Sequence, residues 1–355
     1  MNSSRLVAAT LVSALLLGGC SDDKSSKVAA DEPTEELVTA PGSDRSVEMI
    51  DGSDVVVEGA FGELPIVKVP HQPPPVGTTK TVIDGAGDVL AENDRIVVHV
   101  GVYVLGDATV LGTSWVDEVP LMINLDAEQA PPALLKALVG ARIGSRIWVT
   151  TTGTEARAAG SEASPYDTAA VLMVVDVVDA VHANATVDGA VEALPSGYPT
   201  VVGAAGQQPV VSAATIAPPA EMGRAPVVMG AGQQLGLGST AIVHYVMADW
   251  ETGEVVDSTW SRGGPMFLLI GGNILPQQVD QQLSGVTEGS RAMVVFPPVE
   301  GRMLAGGLDP TRSYVVVVDV LRVLANHTQS DPTELEVRDE AKSPREERSP
   351  ASQPS

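Results

Sequence analysis

Apolar residues recur at alternate positions in a series of short, β-branched runs. DRIVVHVGVYV (94–104), RIWVTTT (146–152) and AAVLMVVDVV (169–178) form one group. AIVHYVM (241–247), MFLLI (266–270), RAMVVF (291–296) and YVVVVDVLRV (314–323) form a second. A period of two with Val, Ile and Thr predicts strands that bury at least one face. One stretch breaks the rule: Pro131 to Leu138 opens on two prolines and spaces its leucines for a two-turn helix. Its counterpart is Pro276 to Leu283. The class is therefore α+β, with two units that are each an antiparallel sheet and one short helix.

The two groups are copies at a fixed spacing. His99 and His244, Trp115 and Trp260, and Pro120 and Pro265 all lie 145 residues apart, as do the triplets Gly144-Ser145-Arg146 and Gly289-Ser290-Arg291. VVDV at 174–177 returns at 317–320, so the second copy has a shorter last loop. VEGAFGELP (57–65) resembles VDGAVEALP (187–195), an offset of only 130, so the second copy gained residues before its core begins.

Composition changes the picture at both ends. Leu6 to Leu17 is an apolar run behind MNSSR, too short to span a bilayer as a mature helix, and it ends in Leu17-Gly18-Gly19-Cys20. This resembles the lipobox of bacterial lipoproteins. The resemblance implies cleavage before Cys20, lipidation of its thiol, and anchoring on the extracytoplasmic face of a bacterial cell membrane; a thioether carrying two acyl chains holds stably where one would not. Cys20 is the only cysteine, which excludes an intramolecular disulfide or a thiolate metal cluster. The expected organisation is a signal at 1–20, an acidic tether at 21–50, domains at 51–182 and 183–325, and a disordered tail at 326–355. A net charge of −24 argues against nucleic acid as a partner.

Several features read as structural. His99 and His244 lie mid-strand with no second ligand at metal spacing, so they are expected to be half-buried packing residues, and no metal site is expected. MGAGQQLGLGS (229–239) lacks the lysine and helix of a phosphate loop and reads as a linker into the first core strand of the second copy. Trp115 and Trp260 are expected to pack at sheet edges. Asp249 to Glu254 is expected to be a solvated turn bent at Gly253, with no role for Trp250.

The order of elements in the second copy resembles the FKBP family of peptidyl-prolyl cis-trans isomerases. The matching text is Val243-His244-Tyr245, Thr252-Gly253, Val256-Asp257-Ser258-Thr259, Pro265-Met266-Phe267-Leu268, Gly271, Ile274-Leu275-Pro276, Glu288 to Ala292, Phe296-Pro297-Pro298 and Val318-Asp319-Val320. It covers about 238–324, and more faintly 93–180. The resemblance implies two tandem FKBP-like domains and an isomerase or foldase without cofactor, acting on proline-containing segments of exported proteins. It places Tyr245 and Asp257 in the pocket, and Ile274 and Leu275 where a backbone N–H meets the substrate carbonyl. Pocket walls aromatic in the family are Val256, Met266, Val279 and Val318 here, so the pocket is expected to be aliphatic and wide. The flap, Val299 to Asp309, lacks the family's tyrosine. In the first copy Val100, Gly112, Leu111, Leu121 and Leu134 replace the tyrosine, aspartate, phenylalanines and tryptophan, so that copy is expected to be degenerate. Two alternatives stay open: a non-catalytic peptide-binding chaperone on the same fold, and a structural surface lipoprotein.

Overall fold

The computed structural model describes residues 47–116, 118–157, 163–271, 281–298, 308–309 and 311–324. The elements run β1 (Val47–Ile50), β2 (Val56–Glu58), β3 (Ile66–Pro70), β4 (Thr79–Ile83), β5 (Arg95–Val104), β6 (Val110–Thr113) and β7 (Leu121–Asn124). Next come α1 (Pro132–Leu138), β8 (Arg146–Thr152), the single turn α2 (Gly153–Ala156) and β9 (Ala170–Val181). The second half holds β10 (Val201–Val202), β11 (Val210–Val211), β12 (Gly223–Val228), β13 (Thr240–Asp249), β14 (Val255–Ser258), β15 (Met266–Leu269), β16 (Arg291–Phe296) and β17 (Tyr314–Leu324).

Two six-stranded antiparallel sheets share one strand order. The first is β4-β8-β9-β5-β6 with β7 also on β5; the second is β12-β16-β17-β13-β14 with β15 also on β13. The irregularities match as well. The central pair slips register between Val97 and Val98 in one sheet and between Ile242 and Val243 in the other. Left-handed backbone recurs at Asn93 and Gly238, at Ala108 and Gly253, and at Glu118 and Gly263, each pair 145 residues apart. Edge strands β4 and β12 are short and polar-interrupted, and the apolar pattern does not reveal them.

Each sheet is buried on both faces. Along β5, Ile96, Val98, Val100 and Val102 face α1, whose Ala133, Leu134 and Leu138 are buried against them. Seven residues are too few for a helix to persist alone, so this contact holds α1 in place. Tyr103 faces the other way, with Trp115, Trp148, Leu172 and Val174, under a small sheet made of β1, β3 and β2. Val47–Ile50, expected as the end of the tether, thus forms a strand paired in parallel with β3. The second sheet buries Val294, Val318 and Leu283 on one face. Its other face is covered by Val201 and Val211 of the β10–β11 hairpin. Of the second predicted helix, residues 281–283 are helical and 276–280 lie outside the described residues. The glycine-rich stretch at 229–239 links β12 to β13, and at Gly230 a side chain would overlap the carbonyl of Glu288.

The turn after β13 bends at Gly253 and exposes Glu251, Thr252 and Glu254, but its first two residues are a correction to the expected solvated turn. Asp249 is 2% exposed and Trp250 is fully buried. Asp249 Oδ1 accepts the N–H groups of Glu251 and Thr252, and Arg312 pairs with Oδ2 at 2.7 Å. Trp250 Nε1 donates to the Ile216 carbonyl at 2.9 Å, and its ring meets the edge of Tyr198. Tyr198, Val201, Val211 and Ile216, which precede the second sheet in the chain, form the cover. Trp115 and Trp260 also differ from simple edge packing: they stack on His99 (5.5 Å) and His244 (4.1 Å). His244 is buried, beyond the half-burial expected.

A bidentate ion pair crosses two strands in each sheet. Arg146 Nε and Nη2 reach Asp176 at 2.6 and 2.7 Å, both side chains fully buried. Arg291 reaches Asp319 at 2.5 and 2.6 Å. In the first sheet the covering loop joins in: Arg146 also donates to the carbonyls of Gly59 and Glu63, and Gly62 N–H donates to Asp176. Among the described residues no covering-loop carbonyl meets Arg291. Breaking a buried pair from one side costs about 3–5 kcal/mol. Arg146→Ala should therefore lower the urea midpoint of its unit more than Arg291→Ala does, and equal losses would contradict a role for the loop carbonyls.

His244 supplies a second stability test. Its Nε2–H donates to the Ala183 carbonyl at 2.9 Å, which leaves Nδ1 to accept from Thr259 Oγ1 at 2.6 Å. Burial pushes its pKa down to about 4 from 6.5, the Ala183 carbonyl opposing in part and Arg95 adding to the depression. A depressed folded pKa gives stability that is complete above 6.5 and lost as pH falls towards 4. The loss is roughly 3 kcal/mol. Melting temperatures across that window should fall less steeply in His244→Gln than in the native chain; parallel curves would remove His244 as the source.

Candidate functional site

The hairpin β13–β14 brings Tyr245 and Asp257 together. Asp257 lies across from Met247, two residues beyond Tyr245 on the same face, so the diagonal is within reach of a phenol. Tyr245 Oη donates to Asp257 Oδ2 at 2.6 Å. Arg262 Nη2 donates to the same oxygen at 2.5 Å, and its guanidinium lies 5.9 Å from the centre of the Tyr245 ring. Arg262 arrives on a single 3-10 turn, Trp260–Arg262, closed by Gly263 at φ 89°. Burial, then the hydrogen bond to Asp257, raises the Tyr245 pKa far above 10, so the phenol keeps its proton and acts as a donor.

The floor beside this trio is apolar. Tyr245 pairs across the strands with Val318, and both join a cluster with Met266, Met247, Phe296 and Tyr314. Phe296 and Tyr314 face each other as the last residue of β16 and the first of β17. Tyr314 Oη accepts the N–H of Asp309 at 3.0 Å at the base of the flap.

Of the residues named for the pocket, Met266 and Val318 lie in the cluster with Tyr245. Val256 is not in the cluster: β14 bulges there, with Val255 rather than Val256 opposite Ala248, and Val256 is 42% exposed. Ile274, Leu275 and Val279, flap residues 299–307 and Cys20 lie outside the described residues. Three contributors were not assigned to the pocket from the sequence, although Phe296 stands in the matching text. Arg262 follows Asp257 by five residues with no period to flag it. Phe296 and Tyr314 stand where the first copy has Thr151 and Val171, so comparing the copies position by position reveals them.

The same face of the first sheet is closed down. Val100 and Gly112 stand in place of Tyr245 and Asp257. Over Val102 and Leu111, α2 and Tyr166 leave a hollow of about 20 Å³, room for one water. Among the described residues no group of three or more His, Cys, Asp or Glu side chains is arranged to hold a metal, and no helix is long and apolar enough to cross a membrane.

Comparisons with known proteins cover the region around the trio. The profile of the FKBP-type peptidyl-prolyl cis-trans isomerase family matches residues 232–308, which contain the trio. The chain is 31% identical over 110 residues to the FK506-binding protein of Streptomyces anulatus, covering 30% of this chain and 89% of that one. It is 31% identical over 97 residues to a protein of Corynebacterium glutamicum described as a probable FK506-binding protein, covering 27% of this chain and 80% of that one. FkpA of Escherichia coli, a solved structure, aligns at 23% identity and a TM-score of 0.26, over 29% of this chain and 47%, about half, of its own length. The chain belongs to the FKBP-type peptidyl-prolyl cis-trans isomerase family.

Proposed function

We propose that the chain is a membrane-anchored isomerase or foldase that acts through its second FKBP-like domain, 183–325, on proline-containing segments of exported proteins. The first domain, 51–182, is a degenerate duplicate, and Cys20 carries the lipid. The observation that carries this reading is the Tyr245–Asp257–Arg262 trio beside an apolar floor, in one of two sheets of the same strand order.

Rotation about a prolyl peptide bond needs no nucleophile and no proton transfer. The barrier of about 18–20 kcal/mol is amide resonance, whose charge-separated form water favours. An apolar floor withdraws that solvation, and the site gains rate only from contacts that strengthen as the amide twists. Met266, Val318 and Phe296 supply the floor. The trio supplies fixed dipoles at its rim, already oriented before substrate arrives. Ile274 and Leu275 are assigned the backbone N–H that meets the carbonyl before the proline.

The second reading, a peptide-binding chaperone without catalysis, draws on the exposure of Val256. Stiff aromatic walls confer large apolar contact at low entropic cost, and this site has few.

A proline-isomerisation assay on the chain from residue 21 onward decides between them. Asp257→Val should lower kcat/KM by about tenfold or more, and Tyr245→Phe by a smaller factor, as expected for lost hydrogen bonds to a charged group. An uncatalysed rate for the unaltered chain would end the isomerase reading, and peptide binding in that case would establish the chaperone. For the anchor, Cys20→Ser should abolish labelling by a palmitate analogue and release the protein from the membrane fraction. Retention of the label would place the lipid elsewhere.

A further inference from the structure

The turn that carries Arg262 is seated on the first unit. Gly264 follows that turn and its N–H donates to the Thr259 carbonyl at 3.3 Å; a methyl group added to it would stand 2.7 Å from the backbone oxygen of Asn93, 3.4 Å from Arg95 Nη1 and 3.5 Å from Ala183 Cβ. All three belong to the first unit or to the residue that follows it. The seat is firm. Arg95 is 5% exposed, and its Nη1 donates to the Asn93 carbonyl at 2.7 Å. Buried Asp94 accepts the Ala183 N–H at 3.0 Å and pairs with His182 Nδ1 at 3.0 Å. From Ala183 the contact continues into the second sheet. Its carbonyl takes His244 Nε2–H, His244 Nδ1 meets Thr259 Oγ1, and Thr259 Oγ1 accepts the Tyr245 N–H at 3.0 Å. Thr259 is the residue before the Trp260–Arg262 turn, and Trp260 stacks on His244.

We propose that Arg95 and Ala183 are positioning residues for the site of the second unit: they fix the height of the 259–264 turn and hence the reach of Arg262 to Asp257 and Tyr245. The first unit has lost its own site groups but supplies the floor on which the other unit's arginine stands. The consequence for rate rests on the isomerase reading, while the positional coupling does not. Arg262 is otherwise a long, half-exposed side chain whose ion pair would be weak if it had to be ordered from solution. A turn held from beneath presents the guanidinium already in place.

Gly264→Ala is the direct wedge, because the added methyl meets a backbone oxygen that cannot rotate away. Arg95→Ala removes the seat from the other side, and Arg95→Lys restores a donor for the Asn93 carbonyl. Asp179→Asn is the control: Asp179 pairs with Arg322 at 3.1 Å across the units without touching the turn. The NMR resonances of the Arg262 side-chain Nε and the Tyr245 ring are followed in the chain from residue 21 onward, with kcat and KM measured alongside. Gly264→Ala and Arg95→Ala should both shift these resonances, and kcat should fall about tenfold with KM little changed. Arg95→Lys should return them towards the native positions, and Asp179→Asn should leave them there. Native resonances in a folded Gly264→Ala and in Arg95→Ala overturn the proposal whatever the activity. Shifted resonances in a chain that never catalyses uphold the coupling and remove the isomerase reading. Should Gly264→Ala fail to fold, the Arg95→Ala and Arg95→Lys pair decides alone, since loss and rescue of the Arg262 signal are required together.

Discussion

A guanidinium and a carboxylate buried across two neighbouring strands are the constraint from which the rest of each unit follows. Arg146 lies directly opposite Asp176, and Arg291 opposite Asp319. The next strand places His99 and His244 beside those aspartates. Withdrawing two charges from water costs several kcal/mol per ion, and mutual attraction offsets that only with complete hydrogen bonding. The face that carries the pair therefore has to be sealed, and the seal has to contribute acceptors. In the first unit the loop between β2 and β3 does both, through Gly59, Gly62 and Glu63. A sheet sealed on that side and packed on a helix on the other is buried on both faces. This accounts for β9, where seven consecutive residues from Val171 to Val177 are buried and the alternation disappears.

The two faces of the sheets differ between the units to different extents. Behind the sheet both units keep the Arg–Asp pair, the histidine, the tryptophan stacked on it, and a hydroxyl beside the histidine, Ser114 in one and Thr259 in the other. In front, the first unit has Val100, Gly112 and Leu111 where the second has Tyr245, Asp257 and Val256. Groups that hold the sheet together cannot be lost singly, because each removal strands a buried partner. Groups that line an open site can be replaced by apolar ones at little cost to folding. The first unit's front face carries such apolar residues and is nearly closed.

How much of this was legible depended on whether a residue acts through a period or through a contact. The long strands and α1 follow from β-branched runs and from Pro131-Pro132, and the hairpin meeting of Tyr245 with Asp257 follows from their places on either side of Gly253. β12 did not, because Pro226 sits beside the register shift in its pairing and breaks the alternation. Trp250 and Asp249 read as a solvated turn because their cover comes from residues about 200–216, which carry no helical or strand period long enough to predict a hairpin. Val256 follows Val255 and precedes Asp257 at the bulge of β14, and its 42% exposure depends on that local irregularity, which no sequence period shows. Arg262 lies in a serine-glycine stretch that reads as loop, and only three-dimensional proximity gives it a role.

The electrostatic state of the trio says what kind of chemistry the site is suited to. General acid–base work needs a group that titrates near the working pH, and Tyr245 has been moved away from it. Its burial and its carboxylate partner both favour the protonated phenol. The proton therefore stays on Tyr245, and Asp257 receives one neutral and one cationic donor on the same oxygen. A phenol held protonated does not shuttle protons, but the trio can present fixed dipoles beside an apolar floor. An apolar floor that excludes water, with fixed dipoles at its rim, is the kind of surroundings that favours a twisted amide over a planar one. The positioning of Arg262 is then the part of the site most sensitive to distant structure, since its side chain is more than half exposed and its turn rests on another unit.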